Sequence, residues 1–459
     1  MKSKMREMDM CNGPLTGKIL IFALPLMLSS ILQLLFNAAD VIVVGRFVGH
    51  QALAAVGSTA ALINLLINLF IGFSVGTNVM TARFCGSGNQ RDISEVVHTS
   101  ITFSVLCGVL LIFIGVFLSK PLLALMGTPE DVLDQAALYM KIYFTGMPII
   151  MLYNFGTAIF RAIGDTRRPL YYLLAAGILN VIMNLFFVIR LHMGVAGVSL
   201  ATVLSEILSA GLMVRALMKA DGAYKLELKK LKIHPRKLWL IIKIGLPAGM
   251  QGAIFSISNV LIQSSINLFG SVAMAGSTAA ANIEGFVYMA MNAFHQTALS
   301  FTSQNYGARK PERILRIMWI CLASVTATGL IMGVSAYGFG HHLLGIYSSD
   351  ADVIQNGMMR LKAICVPYFL CGLMDVMVGC IRGLGYSFLP MVVSLAGACG
   401  LRIVWIFTIF QWQKTLPVLY LSYPVTWTIT AVCKVICFCI LYTRLLKSFR
   451  ENPSAAMTP

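Results

Sequence analysis

Several polar side chains sit inside strongly apolar stretches of this 459-residue sequence, at spacings that place them on single helical faces. Gln33, Asn37 and Asp40 stand at i, i+4 and i+7. Asp40 is the only acid between Asp9 and Asp92. An ionisable group at the centre of a membrane span costs about 3 kcal/mol on insertion scales, so Asp40 is a functional candidate. The alternative is a carboxylate at the outer end of its span, solvated near Arg46. Asn180 and Asn184 stand at i, i+4, and Asn259, Gln263 and Asn267 at i, i+4, i+8. Such amides act either as ties between helices, worth about 0.6–2 kcal/mol each, or as ligand contacts. Glu284, Tyr288, Met291 and His295 follow at i, i+4, i+7 and i+11. A carboxylate and an imidazole on one face fit a proton relay. They fit equally a structural arrangement in which Arg402 or Lys434 neutralises Glu284. Asp375 precedes Arg382 by seven residues, too far for a neighbouring pair on one helix, and its role stays open. Glu206 reads as structural.

The elements that must carry these residues follow from composition. Hydrophobic residues make up 58% of the chain and charged residues 12%, which excludes a soluble globular protein. Apolar runs of about 20 residues or more, without strict alternation, indicate an all-α polytopic membrane protein and exclude a barrel. Twelve spans are expected, near 17–45, 53–82, 95–118, 133–160, 168–190, 194–218, 238–268, 272–302, 314–338, 353–381, 388–411 and 417–445. The basic start (Lys2, Lys4, Arg6, Lys18) leads into a first segment too long for a cleavable signal, with no small-residue cleavage site.

The net charge of +17 lies mostly in short loops, which argues for topology rather than nucleic acid binding. With a cytoplasmic N-terminus, 26 Lys and Arg fall on the inside. The outside loops carry only Arg46, Lys120, Arg190 and Lys414. Both termini are therefore expected in the cytoplasm. The eleven cysteines form no CxxC pair of the metal type and read as small packing residues. His341-His342 lacks nearby ligand spacing. No GxxxxGK[ST] loop and no HExxH is present, so neither an ATP-hydrolysing cassette nor a zinc hydrolase is expected.

The sequence repeats itself. Leu24-Pro25 matches Leu246-Pro247, and Gly57-Ser58-Thr59 matches Gly276-Ser277-Thr278. Gly86 matches Gly307, and Arg161, Gly164 and Pro169 match Arg382, Gly385 and Pro390. The offsets lie between 219 and 222, with most at 221. Each half holds an even number of expected spans, so the repeats run parallel. The expected domains are an N-terminal six-helix lobe (1–218), a basic cytoplasmic linker (219–237) and a C-terminal six-helix lobe (238–459). The linker reads as a solvated connector, with a basic face against anionic lipid as a further role.

The opening GPLTGKILIFALPLMLS, the duplicated loops and TSQNYGARKPER resemble the multidrug and toxic compound extrusion (MATE) family of cation-coupled efflux transporters. The resemblance covers the whole chain. It implies two pseudo-symmetric lobes in a V around a central cavity, and alternating access. It also implies a cation-coupling site, carried over by position to Asp40, Asn180, Asn184 and Thr202, taking H⁺ or Na⁺. The family pattern often has Asp where this chain has Asn184, which leaves Asp40 as the cluster's one carboxylate. One carboxylate can carry one proton, whereas a hard cation is held more weakly as ligand charge falls, so H⁺ is preferred. Glu284, His295, Asp375, Asn259 and Gln263 form a candidate polar site in the second lobe, by chemistry rather than motif. Pro25 and Pro247 are the candidate hinges, since proline removes a backbone bond from its helix.

The function expected is therefore a non-enzymatic antiporter of the bacterial cytoplasmic membrane that exports amphipathic, cationic small molecules. It would need no cofactor beyond the coupling ion, would bind lipid but no nucleic acid, and would act as a monomer. The 26 Phe and 26 Met suit a tolerant substrate path. The alternative is a flippase for lipid-linked precursors, whose cavity needs several cations for pyrophosphate; Arg402 and Lys434 are the available ones.

Overall fold

The computed structural model describes residues 8–451, which contain helices and no strand. In order these are α1 (Leu15–Phe47), α2 (His50–Ser87), α3 (Gln90–Leu125), α4 (Glu130–Thr145), α5 (Met147–Ala162), α6 (Arg167–Leu185), α7 (Gly194–Met218), α8 (Pro235–Asn267) and α9 (Ser271–Gly307). There follow α10 (Pro311–Gly338), α11 (Gly340–Gly345), α12 (Ala351–Ile364), α13 (Phe369–Gly383), α14 (Phe388–Ser394), α15 (Leu401–Phe407), α16 (Ile409–Trp412) and α17 (Leu416–Glu451). A π-helical turn, Phe186–Arg190, extends α6, and another, Leu395–Gly400, joins α14 to α15.

Among the described residues, nine helical stretches are long and apolar enough to cross a bilayer. Two bent pairs raise the number to eleven: α4 with α5, bent by 51°, and α12 with α13, bent by 47°. The bends have local causes. Pro148 stands at the second position of α5, and Pro367 lies in the turn before α13, where a missing N–H interrupts the helical ladder. The 37-residue α9 is long enough but not apolar enough, because it carries Glu284, His295, Gln304 and Asn305 along with many hydroxyls. Several of its buried polar groups are satisfied within the helix: Thr297, Ser303 and Asn305 each donate to the carbonyl four residues back. The fold is thus an all-α, multi-pass membrane fold. Large apolar side chains such as Ile42, Phe117 and Ile331 face outward, as a lipid solvent requires.

The backbone repeats at the same spacing as the sequence. Three pairs of residues with positive φ lie 221 apart: Gly49 and Gly270 (115° and 89°), Gly88 and Arg309 (72° and 54°), and Gly164 and Gly385 (92° and 96°). Left-handed backbone favours glycine, so the duplicated glycines mark duplicated turns. Of these six residues, only Arg309 departs from that preference.

The chain forms two compact units. The first holds residues 8–9 and 28–253, the second residues 10–27 and 254–451. Helices α1 and α8 each divide between them, a few residues after Pro25 and Pro247, and α1 is continuous through Pro25. Within the first unit, α2 and the first half of α8 meet through paired glycines. A Cβ on Gly72 would strike the backbone of Gly249, and one on Gly76 the backbone of Ile241. Small residues four apart on both helices allow this close approach. An apolar core containing Phe70, Tyr139, Phe144 and Phe155 fills the first unit. Tyr420, Tyr423 and Trp427 anchor another in the second.

Candidate functional site

Four of the sequence-predicted residues come together in the first unit. Asp40 lies on α1, Asn180 and Asn184 one turn apart on α6, and Thr202 on α7. Asn184 Nδ2 donates both to Asp40 Oδ1, at short range, and to Asn180 Oδ1 at 3.2 Å. Asn180 Nδ2 donates to Thr202 Oγ1 at 3.4 Å, and Thr202 Oγ1 donates back to Val198 O at 3.1 Å. Asn180 and Asn184 are buried, while Asp40 and Thr202 are partly exposed. The i, i+4 spacing gives Asn180 and Asn184 one helix face, and the contact of α6 with α7 brings Thr202 to it. The chain is thus a carboxylate at one end, two amides in the middle and a hydroxyl at the other.

One atom of this cluster is left over. Asn184 Oδ1 is buried and accepts no hydrogen bond among the described residues. Buried acceptors normally have a donor, so an open one beside a carboxylate needs explaining. A proton or a cation bound between Asp40 and Asn184 would supply what the oxygen lacks. The donor set consists of oxygens only, which suits a proton or a hard cation rather than a transition metal. Among the described residues, no group of three or more His, Cys, Asp and Glu could hold a metal ion.

The second unit separates its predicted residues into different arrangements. Glu284 is paired with neither Arg402 nor Lys434. Its partner is Arg360 of α12, with Nε donating to Oε1 at 2.7 Å and Nη2 to Oε2 at 2.9 Å. Arg360 Nη1 also donates to Ser277 Oγ at 2.6 Å, and both side chains of the ion pair are buried. Arg402 instead lies over the rings of Tyr423 (4.1 Å) and Trp427 (5.7 Å), with Nε donating to Thr426 Oγ1 at 3.3 Å. Lys434, fully buried, donates to Met374 O at 3.4 Å. His295 donates from Nδ1 to the backbone O of Asp375 at 2.7 Å, which ties α9 to α13. Gln263 bonds within its own helix to Asn267 (3.1 Å), and Asn259 is exposed. Neither is hydrogen-bonded to Glu284, His295 or Asp375 among the described residues.

Sequence reasoning passed over Arg360 because it is 76 residues from Glu284 and no helical spacing links them. It also passed over the groups that hold the chain start. Asn305 Nδ2 and Arg313 Nη2 donate to Met10 O, Arg313 Nη1 to Gly13 O, and Lys310 Nζ to Cys11 O. A signal did exist: all three donors lie in or just after the duplicated loop motif TSQNYGARKPER.

Comparison with known proteins gives a consistent result. The MatE family model matches residues 25–186 and 247–408. The chain is 27% identical over 419 residues to "Probable multidrug resistance protein YoeA" of Bacillus subtilis (strain 168), covering 89% of this chain and 90% of that protein. It is 21% identical over 410 residues to "Multidrug export protein MepA" of Staphylococcus aureus (strain MSSA476), covering 89% and 88%. Among solved structures, one described as the outward-facing conformation of a multidrug resistance MATE family transporter of the MOP superfamily superposes with a TM-score of 0.89. Its identity is 21%, over 95% of this chain and 98% of that one, so the likeness is one of fold.

Proposed function

The chain belongs to the MatE family, and on that premise we propose that it is an antiporter exporting small amphipathic, cationic molecules by alternating access. Membership makes it a transporter rather than an enzyme. The names of the relatives from Bacillus subtilis and Staphylococcus aureus support multidrug export as its activity. The observation that carries the coupling step is the Asp40–Asn184–Asn180–Thr202 chain with its open Asn184 oxygen.

In this reading Asp40 is the switching carboxylate and H⁺ the coupling ion. As an anion, Asp40 accepts the amide proton of Asn184. Once protonated it loses that charge-assisted bond, and its own O–H becomes a donor. Asn184 Oδ1 is the acceptor at hand, so protonation asks the amide to turn and re-sorts the bonds to Asn180 and Thr202. Such rearrangement changes what α1 is held by. Pro25 and Pro247 then serve as hinges, because each interrupts the backbone bonding of a helix that passes from one compact unit to the other. A Na⁺ ion at the same four residues would find one formal negative charge, a weak set for a hard cation.

The proposal includes twelve spans in two six-helix lobes, 1–218 and 238–459, joined by 219–237. It counts α9 and both bent pairs as spans, with both termini cytoplasmic in a bacterial inner membrane. Glu284 has a structural role through Arg360. The flippase alternative draws no support from Arg402 and Lys434, since one is stacked on aromatic rings and the other bonded to a backbone carbonyl. Dye efflux from proteoliposomes under an imposed pH gradient tests the coupling. Asp40→Asn is expected to abolish the gradient-driven component while leaving dye binding measurable; efflux at the wild-type rate with a normal pH response would overturn it.

A further inference from the structure

The segment between α7 and α8 is pinned to α3 at both ends. Tyr224 and Leu226 are buried, and Leu226 N donates to Leu217 O at 3.0 Å. Glu227 N donates to His98 Nε2 at 3.1 Å, while His98 Nδ1 donates to Ser94 O at 2.7 Å. Further on, His234 N donates to Thr99 Oγ1 at 3.1 Å. Lys237 then pairs with Asp92 and lies 4.2 Å over the ring of Phe84. Residues 228–233 are therefore held as a strap between fixed anchors rather than as a free connector.

Under this strap lies a cavity of about 570 Å³, lined by Arg91, Ser94, Lys229, Lys230, Lys232 and His234, among others. Four cationic side chains line it against a single carboxylate, Glu95. Two of the four are already engaged: Arg91 with Glu95 at 2.9 Å and Lys230 with Glu227 at 3.0 Å. The Lys230 hydrogen bond holds the Glu227 carboxyl below the usual glutamate range. Lys229 and Lys232 form no ion pair among the described residues. The same strap exposes apolar side chains: Leu228 is 55% exposed, Leu231 39%, and Trp239, at the start of α8, 63%. Exposed leucines interspersed with lysines, next to a tryptophan at a span's end, form a surface for the boundary between headgroups and acyl chains. A site for free phosphate has no use for those leucines.

We propose that this cavity binds the phosphate headgroup of an anionic phospholipid, with Lys229 and Lys232 on the phosphate and Leu228, Leu231 and Trp239 against the acyl region. Juxtamembrane basic clusters attract anionic lipid in this way. The site lies wholly within the first unit and goes beyond the transport proposal, since it can be measured without transport.

The test is native mass spectrometry of the full-length protein in neutral detergent. Phosphatidylglycerol and phosphatidylcholine of equal chain length are titrated separately. The wild type should retain phosphatidylglycerol preferentially, and the preference should fall with added salt. Lys229→Gln with Lys232→Gln should weaken phosphatidylglycerol roughly 25-fold, about fivefold per lysine, whereas Lys447→Gln with Arg450→Gln, an equal loss of charge elsewhere, should change little. Lys229→Arg with Lys232→Arg should retain binding. Equal retention of both lipids by the wild type overturns the proposal, and that arm stands even if a variant folds poorly. So does unchanged phosphatidylglycerol binding in the glutamine variant. If millimolar inorganic phosphate displaces the lipid one for one, the cavity takes soluble phosphate, and the lipid assignment fails.

Discussion

Replacing Arg360 with Met would leave Glu284 as a carboxylate buried without its cation. The pair is bidentate, at 2.7 and 2.9 Å, and its side chains are 8% and 7% exposed. Charge centres about 4 Å apart attract by about 4 kcal/mol at an effective dielectric near 20. Losing one partner of such a pair typically costs about 3–5 kcal/mol, most of it from stranding the other charge. Arg360→Met also removes the donor to Ser277 Oγ. Replacing both residues, Glu284→Leu with Arg360→Met, removes the charges together and should recover to within about 1–2 kcal/mol of wild type, because well-packed apolar groups can substitute for a buried pair. Losing either partner alone costs about 3–5 kcal/mol and losing both about 1–2, so the double-mutant cycle should give a coupling energy of about 4 kcal/mol or more, read from reversible denaturant unfolding in mixed micelles. A coupling below about 1 kcal/mol would refute the assignment of the pair as a structural tie. The cycle also separates two roles for Glu284. A structural Glu284 predicts that variants which remain folded keep the wild-type pH profile of transport. A profile lost in a stable Glu284→Gln protein would make Glu284 a proton carrier instead.

Two further outcomes follow from particular contacts. Gly249→Ala places a methyl against the backbone of Leu69, which cannot give way as a side-chain end would; a cost of about 1–3 kcal/mol and reduced folded yield in detergent are expected. Wild-type stability in that variant would remove the close helix approach from the account. Asn184→Asp adds a second carboxylate beside Asp40, which should raise the site's affinity for Na⁺; dye efflux at fixed pH should then become stimulated by Na⁺, and a response identical to wild type would detach Asn184 from the coupling site.

Much of this protein is written locally in its sequence. Apolar runs of membrane length, the excess of lysine and arginine in alternate loops, and the 221-residue repeat depend only on neighbouring residues and their order. The repeat even reaches the backbone, since glycines such as Gly164 and Gly385 share a left-handed turn. Asp40 stood out because a lone acid in an apolar stretch is costly wherever the helix packs. Its grouping with Asn180, Asn184 and Thr202 came from family resemblance, and the hydrogen bonds joining them belong to tertiary structure. Partner choice was not legible. The sequence offered Arg402 or Lys434 as the cation for Glu284, and no spacing pointed to its actual partner, Arg360. Packing did: α12 carries Arg360 against α9, while Arg402 lies over Tyr423 and Lys434 under Met374 O. The division of α1 and α8 between two compact units was equally hidden, because hydropathy describes how apolar a helix is and not what each half of it touches.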